Sequence, residues 1–263
     1  MARQLIASKH LSQDKLCLID TVLEHFPSIR NESNTESKKQ LGPNLLVTGA
    51  PGTGKSWLID LITELAELME LEKPIKTAFM GIAAININGY TMNSFLDIPV
   101  EMNEGSGTSK HIKPWNQDKL EQFKQMYDMQ NLSVLIVDEV SMIKPWMLAY
   151  LDERMKEATQ NFDKPFGGVA LIMFGDFDQQ PPIGGSSLPH YAMKLLEQEY
   201  QQRNNLFFVK LNRQEQFEIN SNLCKNGVRL FQSAAHLKLT QQHRCASDSE
   251  HMANLNKMNS SRK

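Results

Sequence analysis

Gly49-Ala50-Pro51-Gly52-Thr53-Gly54-Lys55-Ser56 fills every position of the G-x-x-x-x-G-K-[ST] phosphate loop. Its glycines let successive backbone N–H groups turn inward on phosphate oxygens, Lys55 reaches the β- and γ-phosphates, and the Ser56 hydroxyl is placed to ligate Mg²⁺. A chance glycine turn is the competing reading, and the flanks weigh against it. The apolar run Leu45-Leu46-Val47 leads in as a strand, and Ser56 to Ile62 leads out as a helix whose positive end faces the anion. The expected ligand is a nucleoside triphosphate, ATP, with Mg²⁺.

Three further groups bear on what happens to that ligand. Asp138-Glu139 ends the most apolar run of the chain, Val134-Leu135-Ile136-Val137, where an open parallel sheet presents its ligand crevice. Asp138 is suited to hold the Mg²⁺ that Ser56 also ligates, and Glu139 to orient or deprotonate the attacking water. The alternative is structural, with Asp138 or Ser141 capping the next helical turn. Gly175-Asp176-Phe177-Asp178-Gln179 leaves a second apolar run, and the Gln179 carboxamide is the candidate sensor of the γ-phosphate. Arg244, after Leu239-Thr240-Gln241-Gln242-His243, is the candidate stabiliser of charge on the transferring phosphoryl group, although a lone arginine in such a place is usually a solvated surface residue.

Positioning these residues at one edge requires an alternating α/β chain. Strands are expected at Asn44–Thr48, Ile75–Phe79, Val134–Val137 and Val169–Phe174, with short ones near Phe207–Val209 and Leu237–Thr240. Helices are expected from Leu11 to Phe26, from Lys55 to about Met69, across Ile82–Ile87, and at Gln117–Met129, Met147–Ala158 and Ala192–Tyr200. The fold class is therefore α/β, a RecA-like P-loop NTPase with a central, mostly parallel sheet and helices on both faces. A helix and polar loop (1–40) precede the ATPase domain (41–245), and a helical tail (246–263) follows it.

Composition narrows the setting. With 263 residues, 41% hydrophobic and 22% charged, the chain has the make-up of a globular domain. A net charge of −2 leaves room for a local basic groove but not for a broadly basic nucleic-acid coat. Cys17, Cys224 and Cys245 lack metal spacing, as do His243, Cys245 and His251, so reduced thiols in a reducing compartment are expected. Neither a membrane span nor a secretory signal is evident, and an intracellular protein is expected.

These motifs, in this order and together with Gly81-Ile82-Ala83-Ala84-Ile85-Asn86-Ile87-Asn88-Gly89-Tyr90-Thr91-Met92-Asn93-Ser94-Phe95, resemble the superfamily 1 helicases of the petite-integration-frequency (PIF-type) family, relatives of RecD. Val137-Asp138-Glu139-Val140-Ser141-Met142 and Phe166-Gly167-Gly168 are further shared words, and the likeness runs from about Leu11 to the end. The resemblance implies an ATP-driven motor moving 5′ to 3′ on single-stranded DNA, in repair, recombination or telomere maintenance. It also implies residence in the nucleus, with the mitochondrion as the alternative. It assigns DNA contact to Gly81, Thr91, Asn93, Ser94 and Phe95. Physically, Phe95 would offer a stacking face and the polar residues would meet phosphate oxygens, against the simpler reading that Phe95 and the isoleucines are core.

The chain also departs from the family pattern. Met80 stands for a phosphate-contacting Thr, Asn93 for His, Gln180 for an apolar residue and Cys245 for Gln. In the adenine-reading word Leu11-Ser12-Gln13-Asp14-Lys15 the glutamine sits at Gln13 and Lys15 takes its usual place. No second RecA-like domain with its own arginine is recognised before Lys263, so the second domain is expected as a partner, in cis or in trans. An arginine of that kind is worth about 10³–10⁵ in rate, so slow turnover and no strand separation are expected of this polypeptide alone. A truncated, nucleotide-dependent DNA- or protein-binding module is the second reading. An unrelated P-loop ATPase or kinase is the third, against which the Gly175–Pro182 word argues.

Overall fold

The computed structural model describes residues 2–9, 11–31, 44–98, 112, 114–129, 131–132, 134–179, 182, 187–203 and 221–242. Arg244, Gln180, Cys245, the Glu104–Lys110 segment, the strand expected near Phe207–Val209 and the helix expected after Asp248 lie outside the described residues.

Helices α1 (Ala2–Ser8) and α2 (Gln13–Asn31) precede β1 (Asn44–Gly49) and α3 (Lys55–Leu68). Next come β2 (Ile75–Ala78), α4 (Gly81–Asn86), β3 (Tyr90–Thr91), α5 (Met92–Leu96) and α6 (Gln117–Met126). The remaining elements are β4 (Val134–Asp138), α7 (Pro145–Thr159), β5 (Ala170–Gly175), α8 (Leu188–Arg203), α9 (Asn222–Gln232) and β6 (Ala235–Leu239). Among the described residues six strands form one sheet in the order β3-β2-β4-β5-β1-β6, and each of these pairings is parallel.

Continuous apolarity in the central strands follows from burial on both faces. Along β4, Leu135 and Val137 point into one core with Phe95, Phe123, Met147 and Leu151, while Val134 and Ile136 point into the other with Leu18, Ile19, Leu58 and Ile62. Leu171 and Met173 of β5 likewise face the first core, and Ile172 and Phe174 the second. Thus α2, α3 and α4 cover one face, and α5, α6 and α7 the other.

Several elements carried no clear sequence signal. A two-residue β3 and a five-residue α5 are too short to show a period. Helix α9 contains Gly227, an apparent breaker, yet a Cβ there would overlap the Pro145 carbonyl oxygen. That glycine is the notch by which α9 lies close against α7. Ser221 caps α9 by accepting from the Cys224 N–H at 3.1 Å.

Candidate nucleotide and nucleic-acid site

The six described strands run parallel, so their carboxyl ends share one edge. The chain passes from β1 to β2 and returns to fill the gap with β4 and β5, placing a crevice at the ends of β1, β4 and β5. The phosphate loop occupies the end of β1. Gly52 and Gly54 have φ of +83° and +92°, the left-handed region that favours glycine. Gly49 has a different reason, since a Cβ there would lie 2.6 Å from Thr53 Oγ1. Thr53 braces the loop by donating its hydroxyl to the Ala50 carbonyl at 2.9 Å. The Lys55 ammonium donates to the carbonyls of Gly49 (2.6 Å) and Ala50 (3.3 Å). Ser56 lies exposed in the first turn of α3.

Asp138 is the last residue of β4 and is 6% exposed. Burial raises its pKa, against the pull of the Glu139 N–H, which donates to Oδ1 at 2.9 Å, and of the Lys55 charge. Glu139 follows in the left-handed region, at φ +55° and ψ +42°. Such a residue costs on the order of 1–3 kcal/mol and persists where the surroundings over-determine it. The surroundings here include Gly175, where a Cβ would stand 2.8 Å from Val140 Cγ1 and 3.2 Å from the Ser141 N. Burial raises the Glu139 pKa most, Asp138 and Asp176 add to the rise, and Lys55 opposes it. Lys55 therefore acts on both acids, and three carboxylates crowd one crevice.

Asp176, which sequence reasoning passed over, organises the turn after β5. It is 6% exposed, and it accepts from the Asp178 N–H at 3.0 Å and from Gln179 Nε2 at 3.0 Å. The Gln179 carboxamide is held on the same side of the crevice as the acid pair. An acid directly after the glycine of a buried strand was the available signal. Ser141 Oγ is buried without a hydrogen-bond partner, so the capping role weighed for it is not the one it plays.

On the other flank of the loop, the exposed Gln13 opens α2 and Asp14 ties that helix to the end of β6. The Asp14 carboxylate accepts from the Thr240 N–H at 2.7 Å and the Thr240 hydroxyl at 3.2 Å, and also from Ser12 Oγ and the Lys15 N–H. Burial works to raise its pKa, but the hydrogen bonds from Ser12, Thr240 and Lys15 prevail and bring it from 3.8 to about 2.

The Gly81–Phe95 segment lies at the same edge, beyond β2. Thr91 accepts from the Ser94 N–H at 3.2 Å and so caps α5. Ser94 is exposed, and Asn93 Oδ1 is buried without a hydrogen-bond partner. Phe95 corrects the expectation of a base-stacking face. It is 1% exposed and packs against Phe123 and Tyr127 with ring centroids 5.2 and 4.9 Å away. Helix α5 turns it inward because its three apolar residues, Met92, Phe95 and Leu96, share one face. The exposed apolar groups are instead Ile82 at 70% and Ile85 at 75%, with Met80 and Tyr90 beside them. Gly81 is exposed, and a Cβ there would meet nothing within 4 Å, so packing inside the chain does not demand a glycine.

The family model for PIF1-like helicases matches residues 27–226, which contain the phosphate loop, the acid pair and Gln179. The chain belongs to the PIF1-like helicases. Arg244 lies beyond the matched stretch. The ATP-dependent DNA helicase PIF1 of Saccharomyces cerevisiae is 35% identical over 143 residues, 54% of this chain and 16% of that protein. Pif1 of a Psychrobacter species is 34% identical over 145 residues, 54% of this chain and 20% of its own. The chain thus spans under a quarter of the length of these curated relatives. The crystal structure of Bacteroides Pif1 in complex with ADP-AlF3 and single-stranded DNA superposes with a TM-score of 0.53 at 26% identity, covering 88% of this chain and 45% of that one. The PIF1-like RecA fold accounts for the parallel pairing of the described strands and for the crevice at the ends of β1, β4 and β5.

Proposed function

We propose that this chain is the first motor domain of a PIF1-like DNA helicase, one that binds and hydrolyses ATP and couples the cycle to 5′-to-3′ movement on single-stranded DNA. The observation that carries the reading is the convergence at one sheet edge of the phosphate loop and the Asp138–Glu139 pair, with Lys55 acting on both acids. In this reading the loop N–H groups and Lys55 hold the phosphates, with Gly49, Ala50, Pro51, Gly52, Thr53 and Gly54 shaping the cradle. Glu139 takes the proton of the attacking water. Its raised pKa makes it a better base than an exposed carboxylate, and activity should fall on the acid side as it protonates. Gln179, steered by Asp176, orients the same water or senses the terminal phosphate.

The donor set fits Mg²⁺. Asp138 and the Ser56 hydroxyl are hard oxygen ligands, and Mg²⁺ is usually held by one or two carboxylates together with substrate phosphates. When bound, Mg²⁺ would neutralise charge on the phosphoryl oxygens.

The DNA contact belongs to Gly81, Thr91, Asn93 and Ser94, with the open backbone of Gly81 as the place of closest approach. Residues 41–245 with α2 docked on them form the ATPase unit in this reading, and 246–263 lead toward the second RecA-like domain. That domain supplies a further arginine in cis or in trans, and Arg244 contributes from this chain. Roles in repair, recombination or telomere maintenance, and nuclear residence with the mitochondrion as the alternative, are part of the same proposal. Among the described residues, no helix is long and apolar enough to cross a membrane.

Fluorescence anisotropy with a labelled oligo-dT tests the DNA side. Binding should weaken as salt rises, should be altered by a non-hydrolysable ATP analogue, and should weaken on Gly81→Asp, which puts a negative charge at the proposed phosphate contact. Equal binding by wild type and Gly81→Asp would remove DNA from this surface.

A further inference from the structure

We infer that Tyr90 is the base-stacking group of the nucleic-acid surface, an inference that rests on the DNA-binding reading above and adds to it a contact that depends on the bases. With Phe95 turned into the core, the Gly81–Phe95 segment keeps one aromatic ring open to a ligand. Tyr90 is 47% exposed, against 1% for Phe95.

The sheet decides where that ring points. Tyr90 pairs with Thr77 of β2, and Thr77 with Val137 of β4, in parallel register. Aligned residues of neighbouring strands share a face, and Val137 lies in the core that α5, α6 and α7 cover. Tyr90 therefore projects on that face. There it meets Tyr127, the residue that ends α6, with ring centroids 5.2 Å apart and planes at 89°. Tyr127 is itself held by Phe95 and Phe123, at 4.9 and 4.8 Å. Among the described residues β3 is the last strand at this margin, so no neighbouring strand covers the ring. An edge-to-face partner fixes a ring's direction without covering both of its faces. Tyr90 is thus held in place before any ligand arrives, and less side-chain freedom is lost on binding.

The chemistry of the neighbours decides what the ring would take. Gly81, Thr91 and Ser94 offer open backbone and hydroxyl groups, which suit phosphate oxygens and read no base. Thr91 follows Tyr90 directly, so the ring and the polar groups lie side by side at the carboxyl edge of the sheet. A strand whose phosphates rest on the polar groups can turn an unpaired base onto Tyr90. Every base has a π-face, so this contact tolerates any sequence, and it favours single strands because duplex bases are already stacked. Ile82 and Ile85 are more exposed, but α4 covers the opposite face of the sheet and an aliphatic side chain has no ring to stack.

The test is fluorescence anisotropy of wild type, Tyr90→Ala, Tyr90→Leu and Tyr90→Phe with a labelled oligo-dT and with an abasic oligomer of the same length, which keeps phosphates and sugars but has no bases. Wild type should bind oligo-dT more tightly than the abasic oligomer. Tyr90→Ala should weaken oligo-dT binding about ten-fold, the size of one stacked base. Abasic binding and the salt slope should stay unchanged, because no phosphate contact is lost. Tyr90→Phe keeps the ring and should bind as wild type, whereas Tyr90→Leu, apolar but not aromatic, should behave as Tyr90→Ala. That pair decides the matter should Tyr90→Ala not fold. Oligo-dT binding undiminished in Tyr90→Leu, or weakened equally for both oligomers, overturns the inference while leaving DNA binding intact. Binding of neither oligomer by wild type would instead remove the DNA-binding reading, and this inference with it.

Discussion

The phosphate loop and the Gly81–Phe95 segment occupy the same carboxyl edge of one sheet, at β1 and β2, with β4 and β5 between them. In the nucleotide crevice the phosphate loop, the acid pair and Asp176 all leave the ends of paired, doubly buried strands, so the strands fix their direction. At the sheet margin the chain winds through helices of six and five residues around a two-residue strand. Exposure there swings from 75% at Ile85 to 1% at Phe95 within a short stretch. A polar or aromatic residue in the first region has one place to point. In the second region its direction depends on which neighbours happen to complete a face.

The sharpest way to break that contrast is Phe95→Ala. Phe95 belongs to an aromatic cluster with Phe123 and Tyr127, so the variant should lose about 3–5 kcal/mol of unfolding free energy in urea. Weakened DNA binding in a variant of undiminished stability would return Phe95 to the DNA surface. Next in size is Asp14→Asn, which loosens the tie between α2 and β6. Because Asp14 has its pKa lowered in the fold, its contribution is present above pH 3.8 and fades as the pH falls toward 2. After allowance for solvent screening it is about 1 kcal/mol. Denaturant midpoints of wild type and variant should therefore differ at pH 6 and converge near pH 2. Ile82→Ala and Ile85→Ala should have the smallest effect on stability, within about 0.5 kcal/mol. A larger loss would mean that α4 packs more tightly than its exposure implies.

The crevice was largely legible in the sequence because its signals are backbone requirements. Two glycines need positive φ, and Asp138 and Gln179 follow apolar runs whose length and continuity mark buried strands. The fold class followed from the same alternation, and every strand pairing among the described residues is parallel. Asp176 was overlooked because its work is done by accepting hydrogen bonds from its own turn, which no residue type announces. The Asp14–Thr240 tie joins residues far apart in the chain and could not be read locally. Helix α9 was not expected from the sequence, and the carbonyl that its Gly227 makes room for belongs to Pro145, on another helix. Phe95 was left between stacking face and core because five residues of helix give no period, and only the packing of α6 shows which way the ring turns.

The most direct test of the account is steady-state ATP hydrolysis by the purified chain with and without single-stranded DNA, with Glu139→Gln as the control that keeps the phosphate loop but removes the base. The account predicts slow turnover that DNA accelerates. It also predicts a loss of at least about 10²-fold in Glu139→Gln, the size expected for removing a general base, with nucleotide still bound. Turnover indifferent to DNA, or undiminished in Glu139→Gln, would contradict it.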